Sequence, residues 1–315
     1  FRRVLFRSLR TAEGWRTLQG PVQISAAAGL RWQGGVFNGP FRLQPDAYGS
    51  WTLLEQVPLE RYLQGVVPHE IGAGSPAAAL AAQAVLARTW ALRNQHRFLL
   101  DGYHLCSDTQ CQVYGDPRQA GGAVRNAIAA TAGRVLVWQD QPIHAVYHAS
   151  NGGVAADEDE AWPLPELPYL EPAFDRPGGA LAGVSLPVDS DAELRLLLAD
   201  RAVHGAAHPL FRWTRQLSQA SLRQGLGARA QGLGSPLRPL VLERGASGRV
   251  VRLAIAGPQG QVVLERDAIR RTYRQLPSTL FVLTPLAQGA WLVEGGGFGH
   301  GAGDRKSTRL NSSHS

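Results

Sequence analysis

The 315-residue chain contains no methionine, a single lysine (Lys306) and only two cysteines, Cys106 and Cys111. Without methionine there is no initiator, so the segment is expected to begin inside a longer reading frame. No apolar run approaches the roughly 20 residues that cross a bilayer, and a signal or anchor is expected to lie outside these residues. Two cysteines are too few for a multi-bridge scaffold or a four-cysteine zinc module. The lone lysine falls in Asp304-Arg-Lys-Ser-Thr-Arg-Leu-Asn-Ser-Ser-His-Ser315, after 303 residues whose basic side chains are all arginine or histidine. That switch sets 304–315 apart as a non-native tail. Phe1-Arg-Arg-Val-Leu-Phe-Arg-Ser8 reads as a non-native leader, because both ends resemble translated sequencing-adapter read-through. Three leader arginines and the net +2 of the tail supply most of the formal +7, leaving +2. A nucleic-acid partner requires a basic stripe, and none is expected because arginine is scattered over 9–303.

What is present is a foldable chain, with 44% hydrophobic against 18% charged residues, the balance of a globular protein. Gly29–Trp32, Gly35–Phe37 and Ser50–Leu54 read as short strands between turns. A helix from Tyr62 to about Val67 is expected to end at Pro68. Ser75-Pro76 then predicts a cap and first turn for an alanine-rich helix over 76–98, with Leu80, Ala84, Ala87 and Ala91 on one stripe and Gln83 and Arg88 at its borders. A further helix is predicted from Asp116-Pro117 to Thr131, followed by strands at Val135–Trp138 and Ile143–Tyr147. Residues 155–188, rich in proline, glycine and acidic groups, read as a long loop. Helices are predicted over Asp191–Arg201, Ser218–Leu226 and Asp267–Tyr273, and a hairpin over Arg249–Ala256 and Gln261–Glu265. Trp291 starts a strand that runs into glycines.

Four stretches could carry chemistry. In Val66-Val-Pro-His-Glu70-Ile71 a carboxylate stands among apolar residues, where partial burial would destabilise its ionised form and suit it to general-acid work. Cys106 and Cys111 could form a short bridge in an oxidising compartment, or, with His104, a three-ligand zinc site with an open position. His144 and His148 alternate with Val146 along a strand that runs into Ser150-Asn-Gly-Gly153, where a side chain can face a cleft. Gly295-Gly-Gly-Phe-Gly-His300-Gly-Ala-Gly303 lacks the Gly-Lys-Ser/Thr ending of a phosphate loop. Its glycines read instead as letting backbone amides and His300 approach a substrate.

Taken in order, several blocks resemble the SpoIID/LytB family, named for the sporulation stage II protein D. They are Val57-Pro-Leu-Glu-Arg-Tyr-Leu-Gln-Gly-Val-Val-Pro-His-Glu70, Ala81-Ala-Gln-Ala-Val-Leu-Ala-Arg-Thr-Trp-Ala-Leu92, Cys111-Gln-Val-Tyr114, Thr131-Ala-Gly-Arg-Val-Leu136, Ser150-Asn-Gly-Gly153, Ala161-Trp162 with Pro168-Tyr-Leu170, and Gly297-Phe-Gly-His-Gly-Ala-Gly303. The resemblance implies a lytic transglycosylase acting on peptidoglycan glycan strands stripped of stem peptides, or a non-catalytic module that enhances a cell-wall amidase. It implies Glu70 as acid/base, an extracytoplasmic location, and no required cofactor. Some members hold zinc through two cysteines and a histidine, which would map onto Cys106, Cys111 and His104. The family's last motif usually runs on into Ser-Gln, whereas Asp304-Arg305 follows here.

The expected fold is α+β, with β-rich and helical regions enclosing a substrate groove. Residues 9–58 would form a β-rich segment, 59–175 the catalytic core, 176–290 a second α+β region, and 291–303 a glycine-rich strand and loop returning to the site. Gln83, Arg88, Tyr147, Ser150, Gly152, Gly153 and His300 are expected to hold the sugar. A third reading, a zinc or cysteine hydrolase centred on Cys106 and Cys111, would be indifferent to Glu70.

Overall fold

Pro68 lies inside a helix instead of ending one. In the computed structural model, which describes residues 8–17, 19–46 and 49–306, helix α1 runs over Leu59–Ile71. The proline removes the N–H that the Gln64 carbonyl would accept. The chain beyond it stays helical, and the Gly72 N–H reaches the Pro68 carbonyl at 3.0 Å. Glu70 therefore rides on the final turn.

The chain divides into two compact units, Phe1–Ala145 and Val146–Ser315. In the first, α1 packs with α2 (Ala77–Asn94) and α3 (Gly122–Ala130). The predicted stripe of Leu80, Ala84, Ala87 and Ala91 is buried against Leu63, Val66 and Val67 of α1 and Val124 and Ile128 of α3. Alanine makes this close approach sterically available, while each buried Leu or Val contributes roughly 1.5–3 kcal/mol. Because helices flank α2 on more than one side, its expected borders, Gln83 and Arg88, are buried as well. Ser75 does not cap α2. Its hydroxyl donates to the Ile71 carbonyl at 2.6 Å, tying the end of α1 to the turn, and Pro76 occupies the cap position. The helix expected from Asp116 is split into a 3-10 turn, Pro117–Gln119, and α3, with Gly121-Gly122 at the break.

The β part of this unit is a three-stranded antiparallel sheet, with Phe41–Pro45 between Val22–Ile24 and Trp51–Glu55. Ser8–Thr11 with Gly14–Thr17 and Leu30–Trp32 with Gly35–Phe37 form hairpins. Val137–Trp138 pairs with Gln141–Pro142 across Gln139 and Asp140, both at positive φ. That is the two-residue turn whose twist suits a hairpin.

The second unit holds two three-stranded antiparallel sheets. One has Trp291–Gly296 between Arg212–Leu217 and Phe281–Pro285; the other is the meander Arg238–Arg244, Val250–Gly257, Gly260–Glu265. Helices α4 (Asp191–Ala199), α5 (Gln219–Leu226) and α6 (Asp267–Thr272) accompany them. Ser190 and Ser218 cap α4 and α5 by accepting backbone N–H groups three residues on, as such residues do. Trp213, Leu217, Leu222, Leu253, Ile255 and Phe281 share one core. The fold is α+β, with antiparallel strands throughout the larger sheets. Residues 155–188 are irregular apart from short pairings such as Val154–Ala155 with Ala173–Phe174.

One expectation is corrected here. The strand placed over Ile143–Tyr147 is absent; Tyr147–His148 pairs with Asp304–Arg305 instead, and the His144 Nε2 lies 3.1 Å from the Arg93 guanidinium. Within the expected tail, Arg305 is buried and ion-paired with Asp175. Residues 1–7 and 307–315 of the expected leader and tail lie outside the described residues.

Candidate functional site

In the first unit Glu70 is half-buried, and its Oε1 accepts the Val113 N–H at 2.7 Å. Val113 is held by the segment around it. Cys111 is disulfide-bonded to Cys106, and the Tyr114 N–H donates to the Ser107 carbonyl at 3.1 Å. The Gln112 side chain accepts the Tyr62 hydroxyl at 3.0 Å and donates to the Ala87 carbonyl at 3.3 Å. Tyr114 stacks on Tyr62 at 5.3 Å between ring centres, and its hydroxyl donates to Glu55 at 2.7 Å. Gly65 is required beneath it, because a Cβ there would collide with the Tyr114 ring. Burial first, and then the nearby charge of Glu70, push the Tyr62 pKa upward, so its phenol remains a proton donor. The Cys-Gln-Val-Tyr block is thus a brace across α1, presenting one backbone amide to one carboxylate oxygen.

The zinc alternative does not fit this geometry. Both sulfurs are joined to each other, which leaves no thiolate for a metal, and His104 is exposed. Among the described residues no group of three His, Cys, Asp or Glu is disposed to hold an ion.

Arg88 is also reassigned. Its side chain is 1% exposed and its five N–H groups all have acceptors: Glu60 Oε1 at 2.7 Å and Oε2 at 2.8 Å, and the carbonyls of Arg134, Ala84 and Ile128 at 3.0, 3.4 and 3.5 Å. No donor remains for a sugar; this guanidinium ties α1, α2 and α3 together. Gln83 is wholly buried on α2, which removes it from any glycan surface.

In the second unit the Ser150 turn and the glycine-rich run meet. The Phe298 N–H donates to the Ser150 carbonyl at 2.7 Å, and the Ser150 N–H returns to the Phe298 carbonyl at 3.2 Å. A Cβ on Gly297 would lie 2.7 Å from the Ser150 oxygen, and one on Gly301 would strike the Arg249 guanidinium. The close approaches of these glycines are therefore to the protein's own backbone and to Arg249. Ser150, Gly152 and Gly153 are buried, and the expectation that they contact a sugar is corrected on that ground.

His300 spends both ring nitrogens internally: Nε2–H donates to the Tyr147 carbonyl at 3.0 Å, and Nδ1 accepts the Ala302 N–H at 3.2 Å. Burial, reinforced by Arg270, lowers its pKa to about 4. It is a neutral imidazole whose ring lies against Trp162, 4.7 Å between centres. Tyr147 is half-buried and contributes that carbonyl. His148 is buried; its Nδ1–H donates to the Ala302 carbonyl at 3.1 Å, which leaves Nε2 as an acceptor with no partner among the described residues.

Sequence reasoning missed Arg249 and Glu160. Arg249 is fully buried, donating to the Asn151 and Val154 carbonyls at 2.7 and 3.1 Å and to the Ser247 hydroxyl at 2.7 Å. Glu160 accepts the Ser247 N–H at 2.8 Å and the Asp157 N–H at 3.2 Å, and burial pushes its pKa up to about 7. Neither stands in a motif, so only the fold brings them together.

Residues 47–138 match the family model described as stage II sporulation protein, SpoIID, and residues 156–303 match a domain of unknown function, DUF8618. Over the first of these segments the chain is similar to the SpoIID family. It is 32% identical over 133 residues to stage II sporulation protein D of Bacillus subtilis, covering 38% of each chain. It is likewise 32% identical over 134 residues to the protein of that name from Bacillus amyloliquefaciens, again covering 38% of each. The amidase enhancer of Bacillus subtilis is 35% identical over 108 residues, 34% of this chain and 14% of that one. The match thus spans well under half the length of these relatives. The SpoIID-type segment contains Glu70 and its brace, while the Ser150 turn and His300 lie beyond it.

Proposed function

We propose that this chain is an extracytoplasmic lytic transglycosylase acting on peptidoglycan glycan strands, with Glu70 as its acid/base. The observation that carries this is the half-buried Glu70 carboxyl, whose Oε1 accepts the Val113 N–H at 2.7 Å. Similarity to the stage II sporulation proteins supports it, and the Cys106–Cys111 disulfide is in keeping with an oxidising compartment outside the cytoplasm.

The reaction asks for one carboxyl rather than two. It first protonates the leaving glycosidic oxygen; as a carboxylate it then takes the proton from the C6 hydroxyl of N-acetylmuramic acid, which attacks its own anomeric carbon and closes a 1,6-anhydro ring. Water is not consumed, so the second carboxylate of ordinary glycosidases is not needed.

Mass spectrometry of digests of purified glycan strands, intact and stripped of stem peptides, tests this. Anhydro ends from the stripped strands are expected, and reducing ends alone would replace the transglycosylase with a hydrolase. Similarity to the amidase enhancer favours one other reading, a non-catalytic module that stimulates a cell-wall amidase. Under it the chain binds glycan or amidase and releases no ends of either kind.

A further inference from the structure

The second unit contains a cavity of about 430 Å³ whose wall carries four arginines, Arg215, Arg270, Arg271 and Arg274. Its apolar side is formed by Leu276 and Pro277, with Phe298 of the glycine-rich run at its edge. Asp267 is the acid that answers these charges: it takes Arg270 at 2.8 and 2.5 Å and lies 3.7 Å from Arg271. Arg215 uses Nε and one terminal nitrogen on the carbonyls of Gln275 and Thr214, which orients the guanidinium. Arg274 is exposed and has no hydrogen bond or ion pair among the described residues. Among the described residues that line the cavity or pair with its arginines, four cations against the Asp267 carboxylate leave an excess of positive charge, and guanidinium forks match planar oxyanions in two-point contact. Phe298 is 42% exposed, its ring backed by His208 at 6.2 Å. An exposed ring beside cations is a surface for the apolar face of a pyranose that carries an acid.

We propose that this cavity is a subsite for an anionic sugar, binding the lactyl carboxylate of N-acetylmuramic acid with Arg271 and Arg274 while the ring packs on Phe298. This rests on the glycan reading above. It supplies a physical basis for the preference for stripped strands already expected: amidase removal of the stem peptide frees that carboxylate, so stripped strands carry the recognised group and substituted ones do not.

The test measures binding, so it stands whether or not the chain cleaves. Full-length protein carrying Glu70→Gln is titrated with a stripped tetrasaccharide of alternating N-acetylglucosamine and N-acetylmuramic acid, and with the same sugar after its carboxyls are reduced to alcohols. The acidic sugar is expected to bind on the order of tenfold tighter, the scale of one charge-assisted contact. Arg271→Gln with Arg274→Gln should erase that difference and leave binding of the reduced sugar unchanged, which also reports an intact fold. Equal binding of the two sugars overturns the proposal. So does equal loss on both in the double variant, or tighter binding of a glycerol phosphate oligomer than of the acidic sugar. Binding as expected with no cleavage by the wild type would remove the transglycosylase and keep the subsite.

Discussion

Two glutamates, one in each unit, divide chemistry from architecture. Glu160 is nearly out of reach of solvent, receives two backbone amides and lies in the field of Arg249, and its pKa is pushed up to about 7. Glu70 is half-exposed, receives one amide, and sits at a helix end. Perturbed titration is often read as a sign of catalysis. Glu160 is a brace inside the fold, so a perturbed pKa does not by itself mark a catalytic group in this molecule; Glu70 is the more accessible of the two.

The same division applies to the arginines and gives the largest expected effect. Arg88→Ala should destabilise the first unit by about 3 kcal/mol, because it opens a cavity between three helices and takes the donors from Glu60 and from the Arg134 carbonyl. Denaturant unfolding measures this, and a loss below about 1 kcal/mol would return Arg88 to the pool of ligand-binding side chains.

Glu160 and His300 make opposite pH predictions. A carboxyl whose folded pKa is raised holds its proton more tightly in the native state. Its stabilising effect is complete below the unfolded value near 4.5 and is lost as the pH rises through about 7. Glu160 should therefore cost the second unit about 3 kcal/mol across that window. Glu160→Gln should flatten stability between pH 5 and pH 8, read from thermal unfolding, and an unchanged slope would show that the group does not titrate there. His300, with its pKa lowered to about 4, acts in the other direction: its contribution is full above about 6.5 and fades as the pH falls.

The smallest effect expected is at the disulfide. Closing so short a loop is worth about 2 kcal/mol by chain entropy. Cys106→Ser with Cys111→Ser should cost the first unit that much and loosen the Val113 amide, lowering turnover with little change in glycan binding. Full turnover would show that the brace does not need the bridge.

Much of this was legible in the sequence. The alanine stripe of α2 gave itself away by spacing, and the likeness to the SpoIID family by an ordered set of motifs. Burial of Gln83 and Arg88 was not legible, because periodicity along one helix does not say how many neighbours it has. The continuation of α1 through Pro68 was hidden for a related reason: packing of Val66 and Val67 overrides a local breaker. The glycine-rich run looked like a substrate loop, yet its glycines answer to Arg249 and the Ser150 turn, which lie far away in sequence. Arginine read as scattered along the chain, and the meeting of Arg270, Arg271 and Arg274 with Arg215 and Phe298 required the fold.

The central claim is tested most directly by Glu70→Gln, which keeps the shape of the side chain and its acceptor for the Val113 amide but removes the proton that has to move. With stripped glycan as substrate, the account predicts loss of anhydro-ended products from a protein that still folds and binds. Undiminished product from that variant would contradict it.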